Sequence, residues 1–446
     1  MTMDTPICDF VQRYAAGEPC RMHMPGHKGN ALLGIERLDI TEIDGADSLY
    51  QAEGIIAQSQ ENASRLFGCR TLYATEGSSQ CIRAMLYLLS LYARQQGKRP
   101  LIAAARNVHK SFVTAAALLD ADICWLYPQR QQSYLCCEVT AQQLEQYLCA
   151  APEKPTALYL TSPDYLGTVA DIAALAAVCH RHGVLLAVDN AHGAYLKFLP
   201  QSLHPMDMGA DICCDSAHKT LPVLTGGAYL HLSQGMEQAV GQQASQAMLL
   251  FGSTSPSYLI LQSLDAANRT LQHYHERMAA LLPAVQRCKH RLQEHGYTLY
   301  GSEPLKLTLC AKPYGYTGLQ LAAMLRGHNV EPEFADPDHL VLMPSAETDA
   351  AALSHLEQAL CSIQARAPLA QAAPAFAMPE RVMTVRKAML SPCEWLPTER
   401  CLGRVLALPT VGCPPAVPIL VGGERIDGAA VACFQYYGID RCLVVT

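Results

Sequence analysis

Four short segments of the chain contain side chains that could act together on one bound heterocycle. Ser78 and Ser79 lie in ATEGSSQ, directly before a helical stretch, where backbone N–H groups and the helix dipole favour an anion such as phosphate. His109 and Asp189 lie at the ends of apolar runs, where the sites of α/β sheets collect. Lys219 lies in DSAHKTL among small and hydroxylated residues, a setting that can lower the pKa of a lysine and allow it to attack a carbonyl.

Pyridoxal 5′-phosphate (PLP) requires the functions that these segments supply. It needs a cradle for its phosphate, a group that stacks on its ring, an acid that pairs with its pyridine nitrogen and a lysine that binds its aldehyde. The 30-residue interval from Asp189 to Lys219 leaves room for one further strand, so both can reach one pocket. Each segment alone also fits a helix cap, a structural histidine, a turn or a surface lysine. Their combination in this order predicts a PLP site, and no metal site is expected because the chain has no HExxH motif.

Short apolar runs alternate with helical stretches through the middle of the chain. The runs lie at 101–105, 123–127, 157–161, 184–189, 211–214 and 227–232. They lack period-two alternation, which is typical of parallel strands that helices cover on both faces. Residues 171–183 carry apolar side chains at helical spacing, with Asp171 as the expected helix start and Gly183 as the expected C′ residue. Such strand–helix–strand units predict an α/β fold.

The 446 residues are enough for several domains. We predict an N-terminal segment at 1–40, a PLP-binding large domain at 41–262, a small α/β domain at 263–365 and a C-terminal domain at 366–446. Residues 263–295 indicate one long helical stretch broken near Pro283. Residues 364–380 are rich in Ala and Pro, which is typical of a linker.

Longer motifs extend over nearly the whole chain. In order they are MHMPGHKG at 22–29, DITEIDGADSLY, ATEGSS, NVHKS, DNAHGA, DSAHKTLPVLTGG, FGSTSPSYLI, EPLKLTL and CPPAVPILVGGE at 413–424. The chain thereby resembles the fold-type-I, PLP-dependent ornithine/lysine/arginine decarboxylases. The resemblance implies a large domain of the aspartate-aminotransferase type with a mostly parallel central sheet, plus a small α/β domain and a C-terminal domain. The implied reaction is α-decarboxylation of a basic amino acid, which gives an amine and CO₂.

The resemblance also implies a role for each matching residue. Lys219 would bind PLP covalently, Asp189 would pair with the pyridinium nitrogen, and His109 would stack on the ring. The other residues implied to contact the cofactor are Gly77, Ser78, Ser79, His192, Ser216 and His218. Thr254 would reach the phosphate of a partner subunit, so a homodimer with its active site at the interface is expected. Lys219 or His218 would return a proton to Cα.

Three residues are candidates for contact with the substrate. Glu424 matches an acidic residue near the family's substrate entrance. Glu331 is a further candidate, because an acidic residue is needed to meet the distal cation of a basic amino acid. His27, in the opening motif, is the third.

Two departures from the family pattern bear on specificity and assembly. In the last motif Cys413, Ala416 and Gly422 replace the Tyr, Gly and Pro of the family's YPPGIPxxxPGE pattern. This change leaves the choice among lysine, arginine and ornithine open. The chain begins almost at PGHKG, so we expect it to lack the N-terminal wing domain of longer members and to form a dimer or tetramer and not larger rings.

Composition limits the partners and the compartment. The 33 Lys and Arg residues against 40 Asp and Glu residues give a net charge of −7, which offers no reason to expect binding to nucleic acid or to an anionic membrane. No apolar run approaches the roughly 18 residues of a membrane span, and no secretory signal is evident. The 19 cysteines cannot all pair within one chain, and no CxxC occurs. Free thiols in a reducing cytoplasm are therefore expected.

Alternative functions remain open at this stage. A PLP-dependent aminotransferase or side-chain lyase would use the same cradle, acid and lysine. A catalytically silent regulatory protein could also keep this fold, although the joint presence of Lys219, Asp189 and His109 argues against it. The products distinguish these functions: amine with CO₂, keto acid, or sulfide or pyruvate.

Overall fold

The computed structural model describes residues 3–128, 133–375, 378–409, 412 and 414–446. Cys413, one of the departures from the family pattern, lies outside these described residues. The chain divides into two compact units, each built from two stretches of sequence. The first unit contains residues up to 98 and residues 185–278, and the second contains residues 99–184 and 279–446. The domain boundaries given by the sequence differ from this division and stay a prediction.

Helices and strands alternate along most of the chain. The helices are α1 (Pro6–Ala16), α2 (Ile55–Phe67), α3 (Ser78–Gln95), α4 (Lys110–Leu119), α5 (Ala141–Ala150), α6 (Ile172–Arg181), α7 (Ala217–Thr220), α8 (Gln234–Val240), α9 (Ala244–Leu249), α10 (Tyr258–Leu271), α11 (Tyr274–Glu294), α12 (Gly318–Gly327), α13 (Ala350–Cys361), α14 (Val385–Met389) and α15 (Gly428–Tyr436). The strands are β1 (Arg70–Ala74), β2 (Leu101–Ala105), β3 (Asp122–Leu126), β4 (Ala157–Thr161), β5 (Leu185–Asp189), β6 (Ile212–Asp215), β7 (Ala228–Leu232), β8 (Thr298–Tyr300), β9 (Leu307–Cys310), β10 (Phe334–Ala335), β11 (His339–Leu342), β12 (Cys393–Pro397) and β13 (Arg441–Val445).

The first unit contains neighbouring strands in the order β1-β7-β6-β5. β5 and β6 are parallel, with Asp189 opposite Cys214, whereas β7 runs antiparallel to both β6 and β1. β6 and β7 are buried along their whole length, which explains why their sequences show no period-two alternation. α3 packs against both of these strands. Because β5 and β6 are parallel, the segments that follow them begin at the same edge of the sheet. These segments carry the predicted site residues.

The described residues of the second unit contain three groups of paired strands. β2 pairs in parallel with β3 and with β4. β10, β11, β9 and β8 form an antiparallel sheet in that order, and β12 pairs antiparallel with β13. The parallel strands are followed by helices, as in the α/β pattern that the sequence predicts.

The predicted strand–helix unit at 171–183 is present. Asp171 is the N-cap of α6, and its side chain accepts a hydrogen bond from the N–H of Ala174. Gly183 follows the end of this helix with φ of 67°, a conformation that glycine adopts without strain. The predicted start and end of this helix are therefore confirmed.

The predicted helix break near Pro283 is wrong. α10 ends at Leu271, and α11 runs uninterrupted past Pro283. A proline inside a helix removes one backbone hydrogen bond. The buried side chains at positions 281, 285, 288 and 292 continue one helical stripe on both sides of the proline, and their packing outweighs that loss.

Among the described residues, no helix has both the length and the apolar character that crossing a bilayer requires.

Candidate active site

Lys219 lies in α7, the short helix that directly follows β6. Its Nζ is 2.9 Å from Nε2 of His192, a residue of the DNAHGA segment that follows β5. His192 is buried and Lys219 is half-buried. An imidazole at this distance can exchange a proton with the amine, so the pair can present Lys219 in its charged or its nucleophilic form.

Asp189 is the last residue of β5 and is buried. Its Oδ1 accepts hydrogen bonds from the N–H of Ala191 at 3.2 Å and from the thiol of Cys214 at 3.7 Å. Burial, together with the charge of Asp189, raises the pKa of Cys214 well above its usual range, so the thiol stays protonated. Two short-range donors therefore fix the orientation of a buried carboxylate at the end of a strand.

The predicted phosphate cradle lies at the start of α3. Ser78 and Ser79 are the first two residues of this 18-residue helix, and Gly77 before them has φ of 69°. The hydroxyl of Ser216, which precedes α7, donates to Oγ of Ser78 at 2.8 Å. The helix N-terminus and the hydroxyls from two segments therefore face a common place suited to an anion.

His218 borders the same cradle. Its Nδ1 is 2.9 Å from the carbonyl oxygen of Gly227, so Nδ1 carries a hydrogen, and its Cε1 lies 4.0 Å from where a Cβ on Gly77 would be. Gly226 has φ of 102°, and a Cβ there would lie 2.8 Å from the carbonyl oxygen of Thr75. The N–H of Gly77 donates to the carbonyl of Gly226 at 2.8 Å. The cradle loop and the segment after Lys219 are thus joined by backbone contacts that a side chain would block.

Two other predicted residues lie in loops of the first unit. Thr254 lies between α9 and α10 and is exposed, and its contact with a partner subunit stays a prediction. His27 bonds within its own segment, because its Nδ1 accepts from the N–H of Gly29 at 3.0 Å and its Nε2 is 3.2 Å from Oδ2 of Asp39. These contacts fix the ring of His27, whose role toward substrate stays a prediction.

His109 belongs to the second unit, where it is the N-cap of α4. Its Nδ1 accepts a hydrogen bond from the N–H of Ser111 at 3.1 Å. A backbone N–H can only donate, so Nδ1 of His109 carries no hydrogen and the ring orientation is set. Stacking of this half-buried ring on a cofactor stays a prediction.

Glu424 forms a buried ion pair in the second unit. Its Oε2 is 2.9 Å from the guanidinium of Arg106 and accepts from the N–H of Val421 at 2.7 Å. Arg106 also donates to the carbonyls of residues 418–419, and it lies over the ring of Trp125. Burial raises the pKa of Glu424, and the charge of Arg106 opposes that rise. Glu424 is 2% exposed, and its place near a substrate entrance stays a prediction.

Glu331, the third substrate candidate, is exposed. Its carboxylate is 2.9 Å from Nε of Arg326, in a pair whose side chains are 53% and 71% exposed. Exposed pairs of this kind add little stability. Its role toward a substrate cation stays a prediction.

The residues of the first unit fit PLP. A glycine with positive φ and two serines begin a long helix, which suits a phosphate. The buried carboxylate of Asp189 suits a protonated ring nitrogen, and Lys219 supplies an amine beside a potential base.

Comparison with known families decides the assignment. Residues 5–294 match the family described as Orn/Lys/Arg decarboxylase, major domain. The chain belongs to the Orn/Lys/Arg decarboxylase family. It is accordingly a PLP-dependent amino-acid decarboxylase, as the sequence predicts.

Individual relatives of this decarboxylase extend the likeness over the whole chain. An arginine decarboxylase of Bacillus subtilis is 28% identical over 475 residues, which cover 99% of this chain and 95% of that protein. The lysine decarboxylase LdcF of Francisella novicida matches with a TM-score of 0.80 at 16% identity, over 100% of this chain and 81% of that one. A serine palmitoyltransferase of Sphingomonas wittichii matches with a TM-score of 0.57 at 16% identity, over 81% and 84%. These structural likenesses confirm the predicted α/β fold of type I with its mostly parallel central sheet.

Two contacts in this decarboxylase have weak sequence signals. His192 was expected to touch the cofactor, but its place three residues after Asp189 did not reveal Lys219 as its partner. Arg106 stands in RNVHKSF beside His109, and nothing near it in sequence indicates a partner in the last motif.

Proposed function

We propose that this chain removes the α-carboxylate of a free basic amino acid, with arginine as the first substrate to test, and that Lys219 and Asp189 do so in the roles their geometry suits. The match to the Orn/Lys/Arg decarboxylase family carries this proposal. Full-length similarity to an arginine decarboxylase supports the choice of arginine. Lysine and ornithine are the other substrates within the family description.

Asp189 stabilises a positive charge in this proposal. When bound, PLP supplies an electron sink for the electron pair left by the departing carboxylate. The buried carboxylate of Asp189 would hold a proton on the ring nitrogen, because a buried charge is costly and a charge-assisted bond to that nitrogen relieves part of the cost. Hydrogen bonds from the N–H of Ala191 and the thiol of Cys214 fix the orientation of this carboxylate.

Lys219 and His192 manage protons at the reacting carbon. His192 Nε2 accepts a proton from the ammonium of Lys219, which leaves the amine free to attack a carbonyl. Once CO₂ has left, Lys219 returns a proton to Cα, and the half-buried setting of its side chain limits competition from water. His218 borders the cradle and holds its Nδ1 hydrogen on Gly227, so it positions the phosphate end.

A homodimer is part of this proposal. Thr254 is exposed, as a residue that serves a partner's phosphate must be. The loop that follows α1 exposes large apolar side chains: Met22, Met24, Leu32 and Leu33 are between 64% and 86% exposed. Apolar side chains grouped in one exposed loop indicate a surface that another protein covers. A second copy of this chain is the expected occupant, and sedimentation of the purified protein would measure it.

The cytoplasm is the compartment we propose. Every cysteine that the structure describes has a free thiol, which supports a reducing environment.

The deciding experiment measures products. The PLP-loaded protein is incubated with arginine, lysine or ornithine labelled at the carboxyl carbon, and both labelled CO₂ and the corresponding amine are quantified. We expect both products in equal amounts from at least one of the three. Keto acid instead would make the protein an aminotransferase, and absence of any product despite bound PLP would make it a silent homologue.

Lysine variants sharpen this measurement. Lys219→Ala is expected to abolish product and the visible absorbance of covalently bound PLP. Lys197→Ala, which removes a lysine paired with Asp207 in the same unit, is the matched control and keeps both. Full turnover by Lys219→Ala would refute the assignment of that residue.

A further inference from the structure

A fully buried cluster of polar and charged side chains lies in the same unit as Asp189 and Lys219. Oδ2 of Asp215, the last residue of β6, is 3.0 Å from Nε2 of His204 and 3.1 Å from Nε2 of His231. Its Oδ1 accepts from the side-chain amide of Asn190 at 2.7 Å. All four side chains belong to the first unit and have no exposed surface. Three N–H donors and the absence of water contact therefore hold the Asp215 carboxylate rigidly in place.

Hydrogen-bond partners fix the charge of His204. The backbone N–H of Met206 donates to Nδ1 of His204 at 3.4 Å, so this nitrogen carries no hydrogen. Nε2 of His204 therefore carries the hydrogen that is donated to Asp215. His204 is thus a neutral imidazole.

His231 has the opposite arrangement. The hydroxyl of Thr71 donates to the carbonyl of Cys69 at 3.2 Å, so its oxygen accepts from Nδ1 of His231 at 3.0 Å. His231 also donates from Nε2 to Asp215, and with a hydrogen on each nitrogen it is an imidazolium. Burial opposes this charge, but Asp215 outweighs burial and raises the pKa of His231. The cluster is therefore one anion and one cation, with no net charge.

The cluster around Asp215 contacts the ends of both β5 and β6, the strands that precede the predicted site residues. Ser216 of the cradle directly follows Asp215, and Lys219 lies four residues after Asp215. Asn190 directly follows Asp189, and its N–H donates to the carbonyl of Cys214 at 2.9 Å. The Asp215 carboxylate thus ties the end of β5 to the end of β6 through a side chain, in addition to the backbone pairing.

We propose that Asp215 is a positioning residue for the reaction, whose buried carboxylate fixes Asp189 and Lys219 relative to each other by holding Asn190, His204 and His231 at once. This inference rests on the proposed function of Lys219 and Asp189. An amide cannot replace the carboxylate, because Asn has one acceptor oxygen for three N–H donors and brings two N–H groups of its own.

Other titratable groups also face the cluster. Besides the two histidines they include Cys69, Cys81, Asp189, Cys213, Cys214 and Tyr229. Burial raises the pKa of Cys81, Cys213, Cys214 and Tyr229, so these four stay neutral at physiological pH. The charge balance between Asp215 and His231 is therefore what changes when either of them is replaced.

The test compares two buried carboxylates of the same unit in the PLP-loaded protein. Asp215→Asn is set against Asp265→Asn, since Asp265 is also buried but accepts hydrogen bonds from Ser59 and from the N–H of Cys8. We expect both to lower the melting temperature. Only Asp215→Asn is expected to lower kcat by about tenfold or more and to lower the pH midpoint of the bound cofactor's visible absorbance by about one unit.

A second variant, His231→Gln, tests the positioning role of Asp215 if Asp215→Asn does not fold. Glutamine retains an N–H donor toward Asp215 but removes the imidazolium, which leaves the negative charge unbalanced. The same pH midpoint is then expected to rise, because nearby negative charge favours the protonated form of the cofactor-bound lysine. Unchanged midpoint and kcat in both Asp215→Asn and His231→Gln, as in Asp265→Asn, would overturn the positioning role.

A failure of the role proposed for Asp215 can be distinguished from a failure of the proposed function. A normal kcat in Asp215→Asn with no turnover by Lys219→Ala removes the role of Asp215 alone. Equal turnover by Lys219→Ala and the unaltered protein removes the proposed function itself.

Discussion

Asp215 of the first unit and Glu424 of the second unit are both buried carboxylates, but their pKa values are shifted in opposite directions. Asp215 accepts three side-chain N–H donors, and although burial raises its pKa, the charge of His231 and the hydrogen bonds from both histidines outweigh burial and hold that pKa well below its usual range. Glu424 accepts from Arg106 and one backbone N–H, and there burial prevails and the pKa is raised. Two residues of similar burial thus respond to pH with opposite sign, because Asp215 accepts from three side-chain donors, whereas Glu424 accepts from one side chain and one backbone N–H.

The largest effect is expected from breaking the ion pair of the second unit. Arg106→Leu leaves Glu424 buried without its cation, and such a loss destabilises a protein by about 3–5 kcal/mol. Urea unfolding of the variant and the unaltered protein would measure the difference. Arg404→Leu is the control, since Arg404 pairs with Glu394 in a partly exposed position. Equal losses for the two variants would show that the Arg106–Glu424 pair is no more costly to break than a surface pair.

A smaller effect with a pH window is expected at Asp215. Its lowered folded pKa contributes stability above the unfolded value of about 3.9, and this contribution is lost as pH falls through the folded value. The raised pKa of His231 contributes stability below about 6.5, which is lost as pH rises through its folded value. The stability advantage over Asp215→Asn should therefore reach about 2 kcal/mol between these two pH values and decline on both sides.

Unfolding curves collected from pH 3 to pH 9 would check this window. A stability difference between Asp215→Asn and the unaltered protein that does not vary with pH would contradict it. Asp265→Asn serves again as the buried control, since Asp265 accepts hydrogen bonds from Ser59 and from the N–H of Cys8 and not from these histidines.

The opposite dependence is expected at Glu424, with a smaller magnitude. Its raised folded pKa contributes stability below its unfolded value of about 4.3, and the contribution is lost as pH rises through the folded value. Glu424→Gln keeps an acceptor for Arg106, so a loss of about 1 kcal/mol is expected. That loss should be greatest in acid and shrink toward neutral pH. A loss that grows as the pH rises would reverse the sign argued for Glu424.

Local sequence patterns predict where several candidate site residues lie along the strands and helices. The sequence places Asp189 at the end of an apolar run, and it lies at the end of β5; the sequence places Ser78 at a helix start, and it begins α3. Lys219 follows β6 in its hydroxylated segment. These placements depend on a few consecutive residues, in which propensity, turn chemistry and burial agree.

Contacts that depend on strand register or on distant segments could not be predicted in this way. Arg106 and Glu424 are 318 residues apart. The pair of Asp215 and His231 requires the antiparallel register that sets Cys213 opposite His231, since the diagonal neighbour two residues on is Asp215. The wrong break at Pro283 has a similar origin, because the apolar stripe that overrides the proline is formed by packing.

The smallest effect is expected where neither burial nor extra donors are present. Glu331 and Arg326 form an exposed pair in the same unit as Glu424, and pairs of this kind contribute about 0–1 kcal/mol. Glu331→Gln should therefore change the free energy of unfolding by less than about 1 kcal/mol, and added salt should reduce even that change. Urea unfolding at low and high salt measures both. A salt-independent loss comparable to that of Arg106→Leu would show that exposure is not what separates Glu331 from Glu424.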